Sequence, residues 1–260
     1  MKTIKNIFDN LNYYICILKE SHNKREILKY FPYRLIGKKY LFKKNVIVEA
    51  DGLIMDCGKF MENCLVSCSI FEEEVKIELD KIRGGEFIDI GSHIGKWSIY
   101  VAKRLGNKGR VISIEPTEYS FILQKKNIGL NSVNNIKQYN NIISDKKEKV
   151  SFYESKENPA TNSLNPMFSP HNVIVKESIK LDNLIDNKKD IKLIKIDVEG
   201  SELKVIMGAK KIIELNKPKI IFESNDNNHL KEIEDYLIGI GYISIIMKEG
   251  TNNYLATYKN

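Results

Sequence analysis

The chain has 260 residues, of which 42% are hydrophobic and 29% are charged, and its formal net charge is +7. These values are typical of a soluble globular protein, one α/β domain with an appendage, and the positive charge suits acidic partners. No apolar run approaches the ~20 residues of a membrane span, and the first residues lack the apolar core of a secretory signal. Membrane-spanning and secreted proteins are thereby excluded, so we expect a cytoplasmic protein that at most lies against the inner face of a membrane.

Residues 1–83 are predicted to form an N-terminal appendage to a domain that covers residues 84–260. Apolar side chains recur at steps of three and four over residues 4–18, which is typical of an amphipathic helix. A basic and aromatic stretch follows at residues 34–44. We expect the helix to pack against protein, either the domain or a second copy in a homodimer. Peripheral contact of residues 1–44 with anionic lipid is the alternative.

The remainder of the appendage contains a hairpin and a helix. Asp51-Gly52 between two short apolar runs predicts the turn of a β-hairpin, and residues 71–82 have helical spacing with acidic residues in the first turn. Cys57, Cys64 and Cys68 lie nearby, but no Cys-x-x-Cys or histidine stands at ligand spacing. We therefore expect reduced, buried thiols and no metal site.

A ligand-binding turn is predicted in the segment 86–103, EFIDIGSHIGKWSIYVAK. A short apolar strand closes with Asp89, Gly91 and Gly95 follow, and the spacing of apolar residues then becomes helical. Strand-to-helix turns of this kind bind ligands in α/β proteins, because glycines allow close approach and the helix offers free N–H groups. The next apolar strand ends at Glu115, where an acidic side chain accepts hydrogen bonds from ribose hydroxyls in nucleotide-binding sheets.

Strands and helices alternate through the rest of the chain. Strands are predicted at residues 134–143, 150–153, 191–197, 218–223, 242–247 and 254–258, and helices at 117–130, 202–215 and 229–240. This order predicts a doubly wound sheet that ends in an antiparallel hairpin. Residues 157–172 lack periodicity, contain three of the six prolines, and are interpreted as a lid or recognition loop. His171 at its end is a candidate general base, with plain exposure as the alternative.

Four segments together resemble the FkbM-type S-adenosylmethionine-dependent methyltransferases. They are FIDIGSHIGKWSIYVAK, VISIEPTEYSFILQKKNIGLN, IISDKKEKVSFY and LIKIDVEGSELKVIMGA, within residues 46–258. The most specific element is KIDVEGSE, residues 195–202. The resemblance implies a Rossmann-like seven-stranded methyltransferase sheet and S-adenosylmethionine as the cofactor.

The resemblance also implies cofactor-binding positions. They are Asp89, Gly91, His93, Gly95, Glu115, Ser144, Asp145 and Asp197. Ser92 and His93 stand where the family pattern has Gly-Ala-Asn before its second glycine, which puts His93 where an asparagine would approach the amino acid part of the cofactor. Ser144 and Asp145 would lie beside the adenine, and an Asx-type turn is the local alternative.

Acidic residues at the ends of later strands are the candidates for the acceptor side. Asp197, Glu199 and Glu223 fall at or just past strand ends, so that with Asp89 and Glu115 five acids are expected on one rim of the sheet. Asp197 or Glu199 is predicted to take the proton of an acceptor hydroxyl, with His171 as a further catalytic candidate. For Asp197 the alternative is a helix cap near Gly200, and for the acids as a group a Mg²⁺-like site.

The predicted function is O-methylation of a hydroxyl on a sugar, a glycan or a related small polyhydroxylated acceptor. An acidic Asp-Val-Glu-Gly turn replaces the Asp/Asn-Pro-Pro-Tyr/Phe turn of methyltransferases that act on base nitrogens, so nucleic acid is not expected as a partner. An RNA methyltransferase and a non-enzymatic nucleotide- or nucleic-acid-binding protein remain as alternatives. A dehydrogenase lacks support because no Gly-x-Gly-x-x-Gly turn is present.

Overall fold

A computed structural model describes residues 2–35, 41–155, 164, 171–185 and 190–259. For residues 2–10, 31–35, 155 and 171 it describes the backbone alone. The basic stretch and the polar loop predicted above therefore lie partly outside the described residues.

The described residues of the N-terminal region form four helices and a hairpin. These are α1 (Lys2–Glu20), α2 (Lys24–Leu35), β1 (Ile47–Ala50), β2 (Leu53–Asp56), α3 (Met61–Ser67) and α4 (Glu73–Leu79). The predicted hairpin is confirmed, since β1 and β2 pair antiparallel around Asp51-Gly52. Glu72, predicted in the first turn of a helix, instead precedes α4 in a left-handed conformation with φ 49°. No described helix combines the length and apolarity required to cross a membrane.

A seven-stranded sheet forms the centre of the molecule. Its seven strands are β3 (Gly85–Ile90), β4 (Gly109–Ile114), β5 (Ile136–Tyr139), β9 (Ile191–Ile196), β10 (Lys219–Glu223), β11 (Tyr242–Ile246) and β12 (Asn253–Tyr258). The helices between them are α5 (Lys96–Leu105), α6 (Glu118–Leu130), α7 (Leu181–Leu184), α8 (Glu202–Gly208), α9 (Lys210–Asn216) and α10 (Asn227–Gly239). Between β5 and α7 the chain forms a separate small sheet of β6 (Ile142–Ile143), β7 (Lys149–Ser155) and β8 (His171–Ile179). The strand order is β11-β12-β10-β9-β3-β4-β5, parallel from β10 to β5 and antiparallel at β12 and β11. The predicted fold class is confirmed.

Two predicted elements are each divided into two in the structure. The strand predicted at 134–143 is two strands, because the Asn140 side chain donates to the carbonyls of Glu115 and Pro116 and the chain leaves the main sheet there. β6 then pairs in parallel with β8, a strand that the sequence prediction missed. The helix predicted at 202–215 is two helices, since the carboxylate of Asp182 accepts the N–H groups of Lys211 and Ile212 and so starts a new helix.

The sheet is buried on both faces, which explains its continuous apolar runs. Successive residues alternate between two hydrophobic clusters: Phe87 belongs to one and Ile88 to the other. The cluster that contains Phe87 also contains Ile17 of α1 and the buried Trp97 of α5, so the N-terminal region packs on that face. All four cysteines are free, and three of them are buried, as predicted.

Candidate functional site

A cavity opens at the carboxyl ends of β3, β4, β9 and β10, where the strand order reverses. Its wall includes the five acids that were predicted to share one rim: Asp89, Glu115, Asp197, Glu199 and Glu223. In open α/β sheets this edge binds the ligand, because turns and helix N-termini converge there. The sheet topology therefore brings together residues that are up to 134 positions apart in the chain.

Glu115, at the end of β4, is fixed by two backbone donors. Its Oε2 accepts the N–H of His93 at 2.8 Å, and its Oε1 accepts the N–H of Thr117 at 2.8 Å. Burial raises the pKa of Glu115 to about 7, against the lowering effect of these two N–H groups. A carboxylate offers about four lone-pair sites, so acceptor capacity remains for the hydroxyls of a ribose.

Asp89, in β3, is almost fully buried with 1% of its surface exposed. Its Oδ2 accepts the hydroxyl of Ser98 at 2.6 Å, and its Oδ1 has no hydrogen-bond partner among the described residues. Burial raises the pKa of Asp89, while the charge of Lys195 opposes this shift. A buried oxygen without a partner costs free energy, which a polar ligand in the cavity would recover.

The turn after β3 brings its backbone against the next acidic turn. Gly91 has φ +80°, and a Cβ added there would overlap the carbonyl oxygen of Asp197. Gly95, with φ +91°, is the N-cap residue of α5. His93 lies between them at φ 50°, with its Nε2 buried and without a partner in the described part of the chain. Burial lowers the pKa of His93 to about 4, so the ring is neutral at physiological pH.

Asp197 is not the cap of the following helix. Its Oδ2 accepts the Lys195 ammonium at 2.9 Å, and the turn is instead held by Glu202, whose Oε1 accepts the N–H groups of Val198 and Gly200 at 3.3 and 3.0 Å. Burial alone would lower the pKa of Lys195. The neighbouring carboxylates, of which Asp197 has the largest effect, raise this pKa above its usual value. Asp197 is therefore available to a ligand in the cavity.

Glu199 and Glu223 are carboxyl groups with unusually high proton affinity. Burial, followed by the charges of Asp197 and Glu223, raises the pKa of Glu199 to about 8. Burial and then the charge of Asp197 raise the pKa of Glu223 to about 7. Such displaced pKa values are frequent at functional sites, where acid–base groups are buried near charged neighbours.

Glu72 is a cavity residue that the sequence prediction missed. It belongs to the N-terminal region, yet its carboxylate lies within 4.8 Å of those of Asp197 and Glu223. The indole N–H of Trp97 donates to its Oε2 at 2.8 Å. Its neighbour Phe71 also lines the cavity. No local pattern in the sequence signals this, because the contact depends on how the N-terminal region packs against α5.

For three predicted site residues the structure leaves the predicted role untested. Ser144 and Asp145 follow β6 just outside the cavity wall, where the Ser144 hydroxyl lies 3.1 Å from Asp145 Oδ1. Their contact with the adenine stays a prediction. The backbone of His171 pairs with that of Ser155 at the start of β8, and its side chain lies outside what the structure describes.

These features define a nucleotide-binding α/β sheet with an acidic site at its switch point. Residues 89–244, more than half of the chain, match the family described as Methyltransferase FkbM domain. The chain belongs to this family of methyltransferase domains, and the predicted family is confirmed. The methyltransferase class and S-adenosylmethionine as the cofactor come with the family.

Several solved structures are similar in fold. Methyltransferase FkbM from Methylobacillus flagellatus KT is 20% identical with a TM-score of 0.49, and the match covers 69% of this chain and 45% of that chain. An S-adenosylmethionine-dependent O-methyltransferase from Thermotoga maritima is 15% identical with a TM-score of 0.46, covering 73% and 66%. Precorrin-6y C5,15-methyltransferase from Geobacter metallireducens GS-15 is 12% identical with a TM-score of 0.47, covering 73% and 90%.

The present chain thus spans less than half the length of the M. flagellatus protein. A comparison with curated protein sequences gave no significant match.

The cavity has the polar groups that S-adenosylmethionine requires. Asp89 Oδ1 and His93 Nε2 are buried polar atoms without partners among the described residues, and both residues line the cavity. The buried Glu115 stands where a ribose diol is held in related sheets. The predicted cofactor-binding residues at the first two strand ends therefore fit this cofactor.

Proposed function

We propose that this protein transfers a methyl group from S-adenosylmethionine to a hydroxyl of a sugar, a glycan or a related small polyhydroxylated acceptor. The observation that carries the proposal is the position of the Asp197 side chain in the cavity wall. It lines the cavity, while the capping of the turn is done by Glu202. Asp197 thus does not cap the turn, and its carboxylate, paired with Lys195 through Oδ2, lies in the cavity wall. The free thiols agree with the cytoplasmic location that belongs to this proposal.

The residues around Asp197 support a polyhydroxylated acceptor. Glu199 and Glu223 line the same part of the cavity and can accept or donate hydrogen bonds according to their protonation. With a pKa of about 8, Glu199 is largely protonated at neutral pH and able to donate one hydrogen bond. Neighbouring groups that accept and donate are suited to the adjacent hydroxyls of a sugar, which need both.

The proposed reaction requires alignment and removal of one proton. When bound, S-adenosylmethionine supplies a methyl group on a positively charged sulfur and leaves as the neutral thioether. Asp197 accepts the proton of the acceptor hydroxyl as the O–CH₃ bond forms, which is general base catalysis. Lys195 holds the carboxylate of Asp197 in position at 2.9 Å. Glu199 and Glu223 orient the acceptor, and proximity supplies much of the rate enhancement.

The test is to identify the methylated product. Purified protein is incubated with S-adenosylmethionine that carries a labelled methyl group, in separate reactions with nucleotide sugars, oligosaccharides, RNA and protein. The proposal predicts label in a sugar fraction, as a methyl ether identified by mass spectrometry and NMR. The Asp197→Asn variant is the control for enzyme-dependent labelling. Label found only in RNA or protein would overturn the proposed acceptor class.

A further inference from the structure

Three carboxylates from distant parts of the chain meet in the cavity. One oxygen each of Glu72, Asp197 and Glu223 lies within 4.8 Å of the other two. Two oxygens on opposite sides of a bound Ca²⁺ are about 4.6–5.2 Å apart, twice the usual Ca–O distance, and neighbouring ligands are closer. The three oxygens are therefore spaced so that one cation can contact all of them with small side-chain adjustments.

The group formed by these three carboxylates and Lys195 has a net negative charge when the carboxylates are ionised, which favours binding of a further cation. Glu72, Asp197 and Glu223 contribute −3 when ionised, and Lys195, paired with Asp197, contributes +1, which leaves −2. Trp97 donates a hydrogen bond to Glu72 but adds no charge. A divalent cation would balance the remaining charge.

Further support comes from buried oxygens in the wall of the same cavity. Asp89, with 1% exposure, lines the cavity with its Oδ1 unpartnered among the described residues. Asp89 is the register partner of Lys195 in the β3–β9 pair, two positions before Asp197 in that register. Ser201, with 4% exposure, also lines the cavity, and its hydroxyl has no partner within the described part of the chain. Such oxygens suit the waters that a hard cation retains when it binds to carboxylates.

We propose that Glu72, Asp197 and Glu223 bind one divalent, oxygen-seeking cation in the acceptor part of the cavity. The N-terminal region thereby completes the site, because it provides one of the three ligands. Resting on the proposed function, the inference adds that the cation binds the acceptor hydroxyl and favours its deprotonation, while the proton passes to the Asp197 oxygen that does not contact the cation. A bound cation acts here as a Lewis acid. No electron transfer or further reactant is needed.

Mn²⁺ is the probe, because bound and free Mn²⁺ are distinguished by electron paramagnetic resonance without any acceptor. The full-length protein is titrated with Mn²⁺, and Mg²⁺ and Ca²⁺ are then added as competitors. Glu72→Gln removes the charge while keeping an oxygen for the Trp97 N–H. The matched control is Glu73→Gln, which makes the same change at the next residue, an exposed acid 3.8 Å from Lys248.

We expect one Mn²⁺ per chain, with affinity reduced by about 10- to 100-fold in Glu72→Gln, the range known for losing even an indirect metal partner. Glu73→Gln should bind as the unaltered protein does. Glu223→Gln serves as a second ligand variant if thermal melting shows that Glu72→Gln is unfolded. Absence of Mn²⁺ binding, or equal binding in the folded ligand variants, would overturn the cation site.

The two proposals fail in different ways. If the protein methylates a sugar in the presence of chelator and binds no Mn²⁺, only the cation site is wrong. If Mn²⁺ binds through Glu72 but no sugar is methylated, the cation site stands on its own and the acceptor class is wrong. The spectroscopic measurement depends on neither S-adenosylmethionine nor an acceptor.

Discussion

Glu202 and His229 form a partly buried contact behind the acidic turn, with Oε2 of Glu202 2.9 Å from Nε2 of His229. The other oxygen of Glu202 accepts the N–H groups of Val198 and Gly200. One side chain thus connects α10 to the turn that carries Asp197 and Glu199. The position of the proposed catalytic carboxylates therefore depends on a contact outside the cavity.

The Glu202–His229 contact predicts that the difference in unfolding free energy between the unaltered protein and His229→Gln depends on pH. The pKa of His229 is raised, first by its hydrogen bond to Glu202, against burial, which lowers it. Folding therefore favours the protonated ring, and this stabilisation is full below the unfolded pKa of about 6.5 and lost as pH rises through the folded pKa. Urea unfolding should show His229→Gln to be destabilised at about pH 5.5 and much less so at about pH 9.

His22→Gln is the matched control for this effect. His22 and Glu49 have the same 2.9 Å separation of Nε2 and Oε2, but both side chains are more than half exposed. Exposed pairs contribute little, so His22→Gln should change the free energy of unfolding by at most about 1 kcal/mol at either pH. An equal loss in His229→Gln at both pH values would mean that packing, and not the charged pair, stabilises the turn.

Glu115→Gln should weaken cofactor binding. The variant keeps one acceptor oxygen but places an amide against backbone N–H groups, and it removes the charge expected to hold the ribose. Loss of a hydrogen bond to a charged group predicts about 1–3 kcal/mol, or roughly 5- to 150-fold in Kd. Calorimetry with S-adenosylhomocysteine measures this directly. Glu118→Gln, at an exposed acid in the first turn of α6, should leave Kd unchanged.

Equal affinity of Glu115→Gln and the unaltered protein would remove Glu115 from the cofactor site. The pKa of about 7 adds a second check. Because the ionised carboxylate is the better acceptor, affinity should increase as pH rises through about 7, and Glu115→Gln should lack this dependence.

Gly91→Ala should disrupt the site through contact with Asp197. A methyl group at this position would overlap the Asp197 carbonyl, and φ +80° adds strain. Gly52→Ala separates the two effects, since Gly52 has φ +74° and nothing within 4 Å of an added Cβ. The strain alone predicts a cost of about 1–2 kcal/mol for Gly52→Ala. Gly91→Ala should lower the melting temperature clearly more than Gly52→Ala does. Equal melting temperatures of the two variants would mean that the turn can shift away from Asp197.

The acidic rim could be predicted from the sequence because of a general property of parallel sheets. Asp89, Glu115, Asp197 and Glu223 each lie at or next to a strand end, and parallel strands present their carboxyl ends on one edge. Predicting their common location required only the strand boundaries. The alternation of Phe87 and Ile88 between two clusters likewise follows from the period of a strand buried on both faces.

What the sequence did not predict depends on side-chain contacts between distant segments. Glu72 reaches Asp197 from 125 positions earlier in the chain, and the local pattern around it indicates only an acidic helix start. Glu202 rather than Asp197 caps the acidic turn, a choice that sequence spacing leaves open. β5 and β6 separate because of the Asn140 amide, which no hydrophobic pattern records.

Asp197→Asn is predicted to abolish most turnover while leaving cofactor affinity unchanged. Asparagine keeps the size of the side chain and an oxygen for Lys195, but it is not a base. Loss of a general base costs about 10²–10⁴ in rate. Turnover is measured with the acceptor identified by the labelling experiment, and affinity by calorimetry with S-adenosylhomocysteine. A parallel loss of both would instead assign Asp197 a role in holding the site together, or the cofactor contact that the family resemblance implies.

Glu199→Gln distinguishes the two carboxyl groups of the turn. With a pKa of about 8, Glu199 donates a hydrogen bond at neutral pH and loses this ability as pH rises. The rate of the unaltered protein should therefore decline above about pH 8, whereas Glu199→Gln, whose amide still donates, should show no such decline and a modest loss at pH ~7. A rate that instead increases through pH ~8 and loses this rise in Glu199→Gln would make Glu199 the base. Asp197 would then be left to orient the acceptor, and Asp197→Asn would retain most of its turnover.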